Sequence, residues 1–195
     1  WSIERTRRDH KLRIDEEKFR HASETIYGLL TDVENETSLD SLRGLEGVGA
    51  AVYFDVFDDM ILRDKEQFYF RERNRRPPLD NVNALLSFAY SLLANDSASA
   101  LESVGLDSYV GFLHRDRPGR ASLALDLMEE LRPCLADRFV LTLINNKVVQ
   151  ANDFYQSEDG AVRMADDARK KFLKNWQERK QDTITHPYLQ EKIPW

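Results

Sequence analysis

Apolar residues recur every three to four positions through most of this chain. That pattern predicts helices over 15–32, 38–62, 79–95, 97–104, 122–132, 135–150 and 165–181. Pro118 and Gly119 break the chain before the fifth of these, Ser122 can cap it, and Pro133 is expected to stop it. The last is charged, with Phe172, Leu173 and Trp176 as its apolar stripe. Residues 64–78 read as a loop that carries Arg71, Arg73, Arg75 and Arg76 into Pro77-Pro78. Segment 110–113 reads as extended, and 153–164 as a small hairpin turning at Asp159-Gly160. The two prolines of the final THPYLQEKIPW suggest a tail lying along the surface. The fold class is therefore mainly α, with at most a small β-hairpin.

Polar residues interrupt this pattern at three places. In LDSLRGLEGVGAAVYFDVFDDM, Leu42, Gly49, Tyr53, Val56 and Met60 share a stripe, and Glu46 falls in the middle of it. A carboxylate on a buried face costs a few kcal/mol unless a cation or hydrogen bonds compensate it. Gly44, Gly47 and Gly49 around it suggest close packing, since helix glycine is unfavourable. In RPGRASLALDLMEELRP, Asp126, Glu129 and Glu130 stand at i, i+3 and i+4 on one face between leucines, in a helix expected to be buried. His114 closes the short apolar run Gly111-Phe112-Leu113, ahead of Arg115-Asp116-Arg117. Carboxylate, imidazole and carboxylate together suit a divalent cation.

Each has a structural alternative. Glu46 can pair with an arginine such as Arg43, Asp126 can pair with Arg120 or Arg132, Glu130 can face solvent, and a lone histidine can be structural or exposed. No tight metal-binding spacing of the HExxH or CxxC kind is present. Cys134, after Pro133, reads as core packing.

The segments LRGLEGVGAAVYF, RNRRPPLDNVNALLSFAYSLL, LESVGLDSYVGFLHRDRPGRASLALDLMEELRP and DRFVLTLIN resemble, in order and type, the CRISPR-associated integrase of the spacer-adaptation module. The likeness runs from about Arg7 to about Pro194 and is greatest to the form found with type I-C systems. It implies that Glu46, in its EG dipeptide, His114, after its GF-hydrophobic step, and Glu129 bind the metal. Asp126 stands close behind or holds a second ion. Many members have aspartate at the position of Glu129. The implied catalytic set is Glu46, His114, Asp126 and Glu129, with Mg²⁺ or Mn²⁺ as cofactor; the imidazole favours Mn²⁺. The implied reaction is transesterification, in which a 3′-hydroxyl of incoming DNA attacks a phosphodiester at the edge of a CRISPR repeat. Nicking of branched DNA would use the same ion. The implied partners are prespacer and leader–repeat DNA, a small companion adaptation protein, and a second copy of the full-length chain. The family carries a smaller β-rich domain ahead of this region. Residues 1–195, which begin at Trp1, are expected to form a single α-helical catalytic domain without it.

A chain of net charge −6 is not a general basic DNA-binding module. Phosphate contacts need local arginines only, and Arg75, Arg76, Arg117 and Arg132 are the candidates, with Arg115 and Arg120 also near His114. Phe68, Tyr69 and Phe70 precede the first cluster and could stack on a displaced base or pack in the core. One cysteine excludes a disulfide framework and suits a reducing cytoplasm. No apolar run approaches the roughly 20 residues of a membrane span, and no signal peptide is visible. The rival reading is a non-catalytic helical interaction module with its polar groups paired internally.

Overall fold

Side chains that satisfy helix ends set the element boundaries of the computed structural model, which describes residues 1–115, 117–185 and 190–194. Its helices are α1 (Ser2–His10), α2 (Glu16–Asn35), α3 (Leu39–Asp55), α4 (Asn81–Ser103), α5 (Ser122–Leu131), α6 (Arg138–Asn145) and α7 (Asp166–Lys180). Asp15 caps α2 by accepting from the amides of Glu17 and Lys18, and Ser38 and Asp80 cap α3 and α4 in the same way. Strand β1 (Phe154–Gln156) pairs antiparallel with β2 (Val162–Met164), in the register Tyr155 opposite Arg163. A second pair, β3 (Thr183–Thr185) with β4 (Lys192–Pro194), was not foreseen. The mainly-α class holds, with one strand pair more than expected. His186 and the rest of 186–189 lie outside the described residues.

α4 runs through the core, burying Val82, Leu85, Leu86, Ala89 and Leu93. Phe139 and Val140 of α6 and Phe172 and Trp176 of α7 pack there too, with Phe139 edge-on to both aromatic rings of α7. Leu173, read as part of the α7 stripe, is instead 36% exposed. The expected break between 95 and 97 does not occur. Asp96 stays in α4 because Trp176 Nε1 at 2.9 Å and Lys180 Nζ at 3.0 Å satisfy its carboxylate.

The helix expected over 38–62 ends at Asp55. Val56, Phe57, Met60 and Ile61 continue the apolar period, but they are buried because the chain turns inward there. The fifth helix ends at Leu131, before Pro133 as expected, but the chain does not leave helical geometry there. Residues Arg132–Asp137 form a wide π turn that carries α5 into α6, a distortion often found beside functional sites. Phe68 and Phe70 are core residues, so only the half-exposed Tyr69 could stack on a base; the Arg71 guanidinium lies 5.4 Å from its ring centroid. Segment 110–113 is a bend rather than a strand. Among the described residues no helix is long and apolar enough to cross a membrane.

Candidate active site

α5 begins without a side-chain cap. Ser122 is its buried first residue rather than the cap, and the carbonyl of Ser108 accepts the amides of Leu123 at 3.0 Å and Ala124 at 3.2 Å. This brings the loop ahead of α5 back over its first turns. There Asp126 takes the loop's backbone. Oδ2 accepts from the amides of Phe112 at 2.6 Å and Leu113 at 3.0 Å, and Oδ1 accepts from the His114 amide at 2.8 Å. Oδ1 also meets His114 Nδ1 at 2.7 Å. Two hydrogen bonds on each oxygen fill the carboxylate's lone-pair sites. Burial works to raise the Asp126 pKa, but the hydrogen bonds from Phe112, His114 and Leu113 outweigh it and hold the group below the usual carboxylate range. An ionised Asp126 can only accept, so Nδ1 of a neutral His114 carries the proton and Nε2 keeps its lone pair. Asp126 therefore orients the imidazole, as outer carboxylates do for metal-binding histidines.

The same loop is tied to α3. Arg43 Nε donates to the Leu113 carbonyl at 2.7 Å, and Arg43 and Arg115 both reach Asp40, whose pKa those guanidiniums lower. Arg43 is thus occupied elsewhere and does not neutralise Glu46. Glu46 itself is exposed, and none of α3 is fully buried, which corrects the expectation of a carboxylate on a buried face. Its side chain has no ion-pair partner among the described residues. Gly44 and Gly47 have open space around them, and only Leu29, at 3.6 Å, would meet a Cβ on Gly49. The glycines mark no close packing.

One helical turn after Asp126, Glu129 is about three-quarters buried and paired with Arg132, whose Nη1 lies 2.7 Å from Oε1 and 2.5 Å from Oε2. Glu130 faces solvent, and Cys134 is half-buried rather than core. Arg132 also lies over the Tyr90 ring, 4.6 Å from its centroid, and Arg73 approaches that ring at 5.2 Å. Below them Asp137 is buried, accepting from Tyr53 at 3.0 Å and Tyr90 at 2.5 Å. Burial pushes its pKa up to about 6 against the pull of Tyr90 and Arg132. Burial, and then the charge of Asp137, push both tyrosines well above their ordinary range. This triad joins α3 and α4 to the π turn, and with them Glu46 to Glu129.

Every pair among the three candidate ligands lines a shared cleft. Glu46 and Glu129 share one with Tyr53 and Arg132, Glu46 and His114 another with Arg117 and Arg120, and His114 and Glu129 a third with Arg75, Arg76 and Arg120. Arg75, Arg76, Arg117 and Arg120 have no ion-pair partner among the described residues. Asp126 is not paired with Arg120 or Arg132. As they stand, no three His, Cys, Asp or Glu side chains among the described residues converge closely enough to hold a metal ion. Glu129 is turned onto Arg132 and Asp126 onto the loop amides. The donor chemistry fits a cation all the same: a carboxylate with no ion-pair partner among the described residues, an imidazole nitrogen that Asp126 does not engage, and a second carboxylate paired with a guanidinium. The sequence did not mark Asp40, Tyr90 or Asp137, and marked Gly111 only as part of the step before His114. A glycine beside the exposed Phe112, and an aspartate inside the apolar run after Pro133, were the available signals.

A helical domain with such a cleft has known relatives. The family model for CRISPR associated protein Cas1 matches residues 1–178, and the chain belongs to the Cas1 family. It is 50% identical over 192 residues to a CRISPR-associated endonuclease Cas1 of Chlorobaculum tepidum, covering 98% of this chain and 56% of that protein. Among solved structures it is similar to a chain of a partial Cas6-RT-Cas1–Cas2 complex, with a TM-score of 0.80 and 28% identity over 92% of this chain and 55% of that one. It is also similar to a casposase bound to integration product, with a TM-score of 0.77 and 27% identity over 87% and 49%. The chain spans about half the length of these relatives.

Proposed function

We infer that this chain is the catalytic region of a DNA integrase and endonuclease that inserts new spacers into a CRISPR array. Glu46, His114 and Glu129 would hold Mg²⁺ or Mn²⁺, with Asp126 fixing the imidazole. Bound there, the cation would polarise a phosphate oxygen and stabilise charge on the attacking and leaving oxygens. The protein's own part is positioning. Asp126 holds the imidazole by Nδ1, which leaves Nε2 as the free nitrogen of the neutral ring, while Arg75, Arg76, Arg117 and Arg120 bind phosphates along the two clefts that His114 borders. The reaction is a direct exchange. The O3′–P bond to the incoming strand forms as the phosphodiester at the repeat edge breaks, the proton leaves the attacking hydroxyl, and a 3′-hydroxyl departs. With water in place of the hydroxyl, the same site nicks branched DNA.

The observation that carries this reading is the saturated Asp126 carboxylate clasping His114 opposite an unpaired Glu46. The Glu129–Arg132 pair, and the lack of a converged ligand set among the described residues, favour a non-catalytic module with internally paired charges. Prespacer and leader–repeat DNA, a small companion of the Cas2 kind, a homodimer of the full-length protein and a cytoplasmic setting complete the proposal. The Cas1–Cas2 neighbour and the casposase support it. In an assay of strand transfer and nicking with Mn²⁺, His114→Ala should lower both rates more than about 100-fold, beyond the usual effect of an outer-sphere change. A folded His114→Ala chain that joins DNA ends at the unmodified rate refutes the reading.

A further inference from the structure

Glu46 and Glu129 differ in one respect that matters for the cation. Glu46 has no cationic partner among the described residues. Glu129 has Arg132, with one guanidinium nitrogen against both of its oxygens. The pair is well shielded, at 25% and 23% exposure, so it is stronger than an ordinary surface ion pair. Arg132 also has a second seat. Its guanidinium lies on the face of Tyr90, and the Tyr90 hydroxyl is fixed by buried Asp137. Arg132 lines both clefts that Glu129 lines. A guanidinium and a divalent ion cannot occupy the same two carboxylate oxygens.

Resting on the cation site inferred above, we propose that Arg132 is the resident counterion of Glu129: it neutralises that carboxylate until a divalent cation displaces it, and then, still seated on Tyr90, it turns its guanidinium to a phosphate of the DNA. Arg132 is in this sense a positioning residue that couples the two ligands. Cation binding frees Arg132 to make a phosphate contact, and by linkage DNA binding favours the cation. The pair also explains why the described residues show no converged cluster: one ligand is held by its own arginine.

The test is Mn²⁺ binding to the metal-free chain without DNA, followed by the EPR signal of free Mn²⁺. Removing the competitor in Arg132→Gln should tighten Mn²⁺ binding about tenfold, the scale of one shielded charge-assisted pair. Arg132→Lys keeps the charge but loses the flat guanidinium that rests on Tyr90, so it should fall between Arg132→Gln and the unmodified chain. It also serves if the glutamine variant folds poorly. Arg120→Gln removes a charge from the same cleft without touching Glu129, and should change the affinity by less than about threefold. Adding Glu129→Gln to Arg132→Gln should abolish the gain. Mn²⁺ affinity that is unchanged or weaker in Arg132→Gln, while His114→Ala still weakens binding, overturns the counterion role and leaves the cation site standing. Mn²⁺ affinity indifferent to both His114→Ala and Glu46→Gln overturns the site itself.

Discussion

A single methyl group placed on Gly111 should disable the site without touching any group proposed to react. A Cβ there would lie 2.6 Å from Cβ and 2.8 Å from the carbonyl carbon of Ser122, and 3.0 Å from Asp126 Oδ2. Carbon atoms in contact prefer about 3.5–4.0 Å, so in Gly111→Ala the loop must withdraw from α5 by roughly 1 Å. The amides of Phe112, Leu113 and His114, now 2.6–3.0 Å from Asp126, would lose their hydrogen bonds. Each such bond to a charged group is worth about 1.5–3 kcal/mol. Much of that returns as hydration, because the loop can peel into water, so the net loss should resemble overpacking, about 1–3 kcal/mol. For a chain of this size that lowers the melting temperature by about 2–12 °C. The effect on rate should be larger, because an active group misplaced by about 1 Å can cost about 100-fold. The assay is Mn²⁺-dependent nicking of a branched duplex beside a thermal melt. A Gly111→Ala chain that nicks at the unmodified rate would show that His114 does not act from the place this clasp gives it.

Other expectations follow from charge. Arg117→Gln and Arg120→Gln should each weaken DNA binding across all sequences and lower the slope of log affinity against log salt by about one; anisotropy titrations at several salt concentrations read this, and an unchanged slope removes that arginine from the DNA surface. Asp137, with a folded pKa of about 6 against an ordinary 3.8, binds its proton more tightly folded than unfolded. Its contribution to stability is therefore full below about pH 4 and is lost as pH rises through 6. Relative to the unmodified chain, Asp137→Asn should gain stability between pH 4.5 and 7, by on the order of 2–3 kcal/mol; urea unfolding at the two pH values measures it, and a pH-independent difference rejects the buried-carboxylate reading.

Helices α2, α5 and α7 and the β1–β2 hairpin were legible because each has a local cause in sequence: a period, a cap or a turn dipeptide. α1 was missed because SIERTRRDH offers almost no apolar period. The overrun of α3 has the opposite cause, since apolar residues after Asp55 keep the helical spacing while the chain turns. At the site, residue type and resemblance pointed to Glu46, His114, Asp126 and Glu129, and the clefts join the three candidate ligands pairwise. Burial misled the argument for Glu46, because α3 lies at the surface. The partners could not be read in advance. Arg43 bracing Leu113, Arg132 on Glu129 and Asp137 beneath Tyr53 and Tyr90 depend on which helix faces which, and no single segment carries that information.

The most direct measurement is anomalous diffraction at the manganese edge from crystals soaked in Mn²⁺. One peak should lie within roughly 2–2.5 Å of oxygens from Glu46 and Glu129 and of His114 Nε2, a range typical of bound divalent cations, with Arg132 turned off Glu129. A peak bound elsewhere, with Nε2 of His114 uncoordinated, would contradict it.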